Sequence, residues 1–156
     1  MTTTRTATLN DLSILLGFEQ GIIKTERAFD STLGNDPINY YDLARLITSP
    51  EAEVIVAEEY GEIVGSGYAV IKTAESFLNH ERYIYLGFMF VKEDHRGKGI
   101  NKQVLDALLE WARRQGLSEI RLQVYDENIP AKKAYLKAGF QPYMLVMRMD
   151  IQQNRS

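Results

Sequence analysis

Cysteine is missing from this chain of 156 residues, and histidine occurs only twice, as His80 and His95. Without cysteine there is no disulfide, no thiolate-bound zinc and no cysteine nucleophile. Two histidines so far apart do not make a metal-ligand pair, so no metal is expected. Long apolar runs are also missing. No stretch approaches the ~20 residues that cross a bilayer, and no membrane partner is expected. Met1-Thr2-Thr3-Thr4-Arg5 lacks the apolar core of a secretory signal, so the expected location is the cytoplasm. Nor does charge of one sign accumulate. The net charge of −3, with no basic helix, argues against a nucleic-acid partner. Proline is scarce, at four residues, and no Pro/Gly-rich linker divides the chain. A single domain over residues 1–156 is expected.

What is present is an ordinary soluble composition, 45% apolar and 25% charged, with a regular alternation of patterns. Arg5 to Leu9 reads as a strand, and Asn10 as the cap of a helix carrying Leu12, Leu15, Leu16, Glu19, Ile22 and Ile23. Tyr40 to Ile47 reads as a second helix. Glu53 to Glu58 and Ile63 to Ile71 flank the turn at Tyr60-Gly61 as a hairpin. Arg82 to Val91 is nearly all apolar or aromatic, which predicts a central strand buried on both faces. A helix from Gly99 to Gln115 follows, closed by Gly116. Glu119 to Val124 alternates as a strand, Asn128 to Ala138 reads as a short helix closed by Gly139, and Tyr143 to Ile151 as a last strand. The order β-α-α-β-β-β-α-β-α-β gives an α/β (α+β) fold, a mixed sheet with helices on its faces.

The junction after Val91 carries the chemistry. A buried strand ends, a charged turn follows, and a helix begins within Arg96-Gly97-Lys98-Gly99. Two glycines one residue apart let the backbone approach a ligand. The unpaired amides of the helix start favour an anion there, and Arg96, Lys98 and Lys102 add positive charge. The spacing fits neither a P-loop nor a dinucleotide fingerprint, whose third glycine would fall at Lys102.

The segment Arg96-Gly97-Lys98-Gly99-Ile100 resembles the acetyl-coenzyme-A signature R-G-x-G-[IVL] of the GNAT superfamily of N-acetyltransferases. The next position is usually Gly or Ala in that family, and here it is Asn101. Asn128 through Phe140 resembles a second family pattern, N-x-x-A-x-x-x-Y-x-K-x-G-F. Asn128, Ala131 and Tyr135 share one helix face by their spacing.

The resemblance implies a sheet with splayed central strands and acetyl-CoA as the acyl donor. Arg96, Gly97, Lys98, Gly99, Ile100 and Asn101 would hold its pyrophosphate. The backbone groups of Met89 and Val91 would pair with pantetheine, and Asn128 and Ala131 would face the arm. Asn128 would serve equally as a helix cap. Tyr135 is the candidate general acid for the leaving thiolate. A phenol near 10 and a thiol near 8.5 make that transfer uphill by roughly 1.5 units, about 2 kcal/mol. Many family members carry a glutamate base at the position of Gly87, where this chain has no side chain. Tyr85, Glu81, His80, Asp126 or a water chain are the alternatives. His95 is expected to be a solvated loop residue.

Two functions follow as expectations. One is acetyl transfer from acetyl-CoA to a primary amine of a small molecule or peptide, by direct attack. The other is a non-catalytic acyl-CoA sensor or docking module. A homodimer through the last strands is what the resemblance suggests.

Overall fold

The chain enters its first helix through a reciprocal cap. The Asp11 carboxylate accepts the Thr8 amide at 2.8 Å, and Thr8, not Asn10, is the residue that precedes the opening 3-10 turn, Leu9–Asp11. Helix α1, Leu12–Glu26, turns Leu15, Phe18, Glu19 and Ile23 inward. Helix α2, Leu43–Thr48, starts later than its apolar spacing predicts, because the Asp42 side chain caps it by accepting the Arg45 amide at 3.2 Å. The computed structural model describes residues 1–152.

Five strands form one sheet in the order β1-β2-β3-β4-β5: β1 Thr2–Thr6, β2 Ala52–Glu59, β3 Glu62–Thr73, β4 Arg82–Val91 and β5 Ile120–Arg121. The first four are antiparallel neighbours, and β5 lies parallel to β4. Residues Tyr60 and Gly61 join β2 to β3 with φ of 52° and 77°, the left-handed pair of a two-residue hairpin turn. Helices α1 and α2 pack on one face, over a core that includes Leu15, Phe18, Leu43, Val56, Tyr68 and Phe88. Helix α3, Ile100–Arg114, covers the other with Ile100, Val104, Leu105, Leu108 and Trp111. Each such side chain, fully buried, contributes about 1.5–3 kcal/mol.

Two strands depart from their sequence patterns. In β4 only Ile84, Leu86 and Phe88 are buried, and the residues between them are half-exposed. The strand is covered on both faces, by α1 at Phe90 and toward α3 at Met89, but incompletely. Strand β5 is two residues long, against the predicted six, because β4 and β5 stay paired only at Ile84–Ile120 and Tyr85–Arg121.

The chain divides at Tyr125, and the second unit begins at Asp126. That unit holds helix α4, Ile129–Ala138, and a segment over residues 141–150 without regular structure. The expected last strand, Tyr143 to Ile151, does not form. Its side chains are strand formers, but a strand exists by pairing, and the described part of this unit contains no second strand. Among the described residues, no helix is long and apolar enough to cross a membrane.

Candidate active site

Strand β4 changes character halfway along. Tyr68 of β3 faces Gly87, and Ser66 faces Phe90, so one residue of β3 is opposed by two of β4. The extra residue is a β-bulge. Phe88 sits in it at φ 58°, unusual for a bulky side chain. Two contacts fix it there: the Ser66 hydroxyl donates to the Phe88 carbonyl at 3.1 Å, and the Phe88 side chain is buried. Beyond Tyr85 the β5 side of β4 has no strand partner among the described residues. The Lys92 amide points to β3, donating to Val64 at 2.9 Å. Strand alternation then turns Val91 and Met89 the other way, toward the gap. The Val91 carbonyl there accepts from Arg96 Nε at 3.2 Å.

The strand runs directly into the glycine turn. A 3-10 turn, Glu93–His95, precedes Arg96, and Gly97 and Gly99 have φ of 79° and 78°. A side chain at either would be strained in that left-handed conformation. Gly99 caps α3 with no side chain, and the first helical bond is Gln103 to the Gly99 carbonyl at 3.2 Å. The amides of the first turn thus have no partner inside the helix. Ile100 is buried under β3 and anchors the turn, while Asn101 is half-buried. Lys98 lies 3.8 Å from Glu59, and Lys102 pairs with Asp106 one turn along α3 at 2.7 Å. His95 is not the solvated residue its loop suggested. Its ring is largely buried, 2.8 Å from Asp94 and 3.8 Å from Glu59.

On the α1/α2 face lies a group of phenols. Tyr41 stacks edge-on to Tyr68 at 5.3 Å, to Phe88 at 5.4 Å and to Tyr40 at 5.7 Å. The fully buried Glu19 holds this corner, accepting the Tyr40 and Tyr41 amides at 2.8 Å each. Burial pushes Tyr68 up to about 12 and Tyr41 well above the usual phenol range. Tyr85 is also raised, chiefly by burial, so it keeps its proton at neutral pH and makes a poor base. His80 accepts from Arg121 at Nε2, 3.0 Å, and donates from Nδ1 to the Asn79 side-chain oxygen at 2.9 Å. Glu81 is exposed.

The remaining sequence-derived candidates belong to the second unit. Asn128 caps α4, its side chain accepting the Ala131 amide at 3.3 Å, and Gly139 closes the helix at φ 108°. Asn128, Ala131 and Tyr135 are half-buried, whereas Ile129 and Leu136 are about half-exposed, at 49% and 52%. The Tyr135 ring packs edge-on to Phe140 at 5.8 Å. Asp126 pairs with Lys132 at 2.9 Å. Among the described residues, no three His, Asp or Glu side chains are placed to hold a metal.

Met89 and Val91 thus lie at the end of β4 and residues 96–101 at the turn and helix start that follow it. Glu26 and Tyr68 are not singled out by the sequence, whereas Tyr41 is, among the aromatics that could line an acceptor pocket. Glu26 continues the inward stripe of α1 by its spacing from Ile22 and Ile23, a signal that was available.

Comparison with known proteins places this geometry. Residues 22–140 match the profile of the Acetyltransferase (GNAT) family. An uncharacterized N-acetyltransferase of Bacillus subtilis, YobR, is 46% identical over 57 residues, 36% of this chain and 23% of that protein. A second from the same organism, YycN, is 36% identical over 81 residues, covering 52% of this chain and 51% of that protein. The chain thus spans about a quarter of one of these curated relatives and about half of the other. A predicted acetyltransferase of Clostridium acetobutylicum, solved with acetyl-CoA, superposes over 100% of both chains with a TM-score of 0.70 at 19% identity. Its likeness is one of fold. A family profile that runs from within α1 to the end of α4, over a bulged strand leading into a glycine-capped helix, makes this chain a member of the GNAT acetyltransferase family.

Proposed function

We propose that the chain transfers the acetyl group of acetyl-CoA to a primary amine of a small molecule or peptide, by direct attack and without a covalent enzyme intermediate. One observation carries this reading: β4 frees its edge at a bulge and then delivers the chain into a helix start whose amides are unpaired. An extended pantetheine arm needs such a free strand edge, and a pyrophosphate needs such a helix start.

The residues fit the donor. The amides from Gly97 to Asn101 would take the pyrophosphate, with Arg96 and Lys98 supplying charge at the rim. The backbone of Met89 and Val91 would hold the arm and polarise the thioester carbonyl as an oxyanion site does. Asn128 and Ala131 would flank the arm, and Tyr135 would protonate the departing sulfur. The family match spans both units of the chain, which supports one acetyltransferase domain over 1–156. The reading carries with it action in the cytoplasm, without nucleic acid or membrane. It also carries a homodimer, supported by the exposed apolar run from Tyr143 to Ile151, where Val146 and Met147 are 83% and 84% exposed.

A thiol-release screen with acetyl-CoA and a panel of peptides, polyamines, amino sugars and amino acids tests the reading. Release with at least one amine is expected. Tight acetyl-CoA binding with no release from any would instead favour an acyl-CoA sensor. With an active acceptor, Tyr135→Phe is expected to lower turnover and leave coenzyme affinity within about twofold. Unchanged turnover would remove Tyr135 from the acid role.

A further inference from the structure

The place left by the missing side chain at Gly87 is filled from the neighbouring strand. A Cβ built on Gly87 would lie 2.6 Å from the Tyr68 hydroxyl and 2.7 Å from its ring carbon Cζ. A side chain at 87 would therefore have to displace the Tyr68 phenol. The phenol that occupies this place keeps its proton at neutral pH, since burial raises it to about 12. It can donate a hydrogen bond, but it cannot take a proton from a substrate ammonium. The base must come from another element.

Helix α1 supplies one. Phe18 stacks on Phe90 of β4 with ring centres 4.6 Å apart, and the bare backbone at Gly21 lets the Phe90 ring approach, at 2.9 Å from a built Cβ. From Gly21 the helix rises about 7 Å to its last residue, Glu26. The Glu26 carboxylate lies within electrostatic reach of Tyr85 on β4, of Tyr40 and Tyr41 before α2, and of Tyr125 after β5. Helix α1 thus runs over β4 from Phe90 toward Tyr85, and Gly87 lies between those two points on the strand. The Tyr40 hydroxyl is out of contact with water and stands beside Glu26, close enough to interact though short of a well-formed hydrogen bond.

The neighbouring acids are engaged otherwise. Asp30 accepts from the Tyr125 hydroxyl at 2.6 Å and from the Thr32 amide at 2.9 Å, and Glu19 accepts the two tyrosine amides.

We propose that Glu26 is the general base of acetyl transfer, receiving the proton of an acceptor ammonium held against the phenols of Tyr40, Tyr41, Tyr68 and Tyr85. The proposal rests on the amine-acetyltransferase reading above. Aromatic faces attract a cation, and the adjacent carboxylate completes the selection for a positively charged amine over a neutral nucleophile. Burial holds the Glu26 carboxyl above the usual carboxylate range, with Asp30 adding to the effect, which moves it toward useful basicity near neutral pH. The charged group acting on it is Asp30, and the titratable ones are the phenols of Tyr40, Tyr41, Tyr85 and Tyr125; Arg27 acts on Tyr40 and pairs with Asp36 at 2.7 Å.

The step balances as follows. One ammonium proton passes to the Glu26 carboxylate, and later to water. The freed nitrogen lone pair forms the C–N bond at the thioester carbonyl. The C–S bond breaks with its electron pair on sulfur. Sulfur takes a proton from the acid, which is restored by the second proton lost from nitrogen. The products are the amide, the free thiol and one proton.

The test compares the parent enzyme with Glu26→Gln, using two active acceptors, one amine of pKa near 10 and one already neutral at the assay pH. For the basic amine, kcat/KM is expected to fall on the order of 10²–10⁴-fold, with the acidic limb of its pH profile lost. For the neutral amine the two enzymes should agree within about threefold, and acetyl-CoA affinity should not change. A misfolded variant would lose both acceptors and the coenzyme equally. Equal loss on both amines with coenzyme affinity intact makes Glu26 structural and overturns the proposal, as does a Glu26→Gln profile matching the parent. A parent enzyme that acetylates no amine overturns the acetyltransferase reading itself, and the base assignment with it.

Discussion

Residues 1–125 and the segment from Asp126 onward solve the folding problem in different ways. The first unit buries Leu15, Val56, Val64, Ile84 and Leu108 completely, or nearly so, between a sheet and helices on both faces. The second has no buried residue in its helix, yet that helix is sharply bounded by a capping asparagine and a left-handed glycine. Tyr143, Leu145, Val146, Met147 and Met149 stand at 66–84% exposed beyond it. Local signals are therefore enough to place the ends of a helix. They are not enough to make a strand, which needs a second strand beside it.

The contrast can be broken most directly by truncating one leucine in each unit. Leu15→Ala should cost about 2–5 kcal/mol in urea unfolding, the range for a fully buried leucine. Leu136→Ala, at a half-exposed site, should stay within about 0.5 kcal/mol. Similar losses would mean that α4 is packed as tightly as α1. A smaller effect is expected at the glycine turn. Gly99→Ala places a side chain at φ 78° and should destabilise by about 1–2 kcal/mol while weakening acetyl-CoA binding in calorimetry. At the start of α4, Asn128→Ala should remove about 1 kcal/mol of helix stability. Hydrogen exchange should then speed up within α4 and leave the β2–β3 hairpin unchanged.

The smallest effect concerns the cap of α1. Arg5 binds both oxygens of Asp11, at 2.8 and 3.0 Å, and this hydrogen bonding holds the Asp11 carboxyl below its usual value despite burial. The folded pKa is depressed, so the stabilisation is complete above the unfolded value near 3.9 and fades as pH falls through the folded one. Arg5→Gln should lower stability by no more than about 1 kcal/mol at pH 7, because Arg5 is partly exposed, and should approach the parent toward pH 3 in urea midpoints.

Most of the fold was legible because periodicity and punctuation agree over residues 52–114. The hairpin turn at Tyr60-Gly61, the full length of β4 and the span of α3 all follow from their residues. The strand β5 was overextended because alternation from Glu119 to Val124 does not report that β4 bulges away after Tyr85. The cradle was legible because a glycine pair before a helix is a local feature. The packing of the α1/α2 face on β4 was not. Tyr68 reaches Gly87 only through the register of β3 on β4, and Glu26 reaches Tyr85 only through the angle of α1. Neither is a property of a short stretch of sequence.

The bulge at Phe88 has a further consequence, for how this gene can change. Met89 lies beside Gly67 and α3, while Phe90 lies against Phe18 and α1, on opposite sides of the sheet. Phe88 is the one extra residue, so deleting it would leave Gly87, Met89 and Phe90 opposite Tyr68, Gly67 and Ser66 in an unbroken ladder and would remove the bulge that frees the strand edge. The length of β4 is therefore tied to the bulge, whereas the loops at 30–39 and 74–81 lie outside that register and are free to change length without disturbing it.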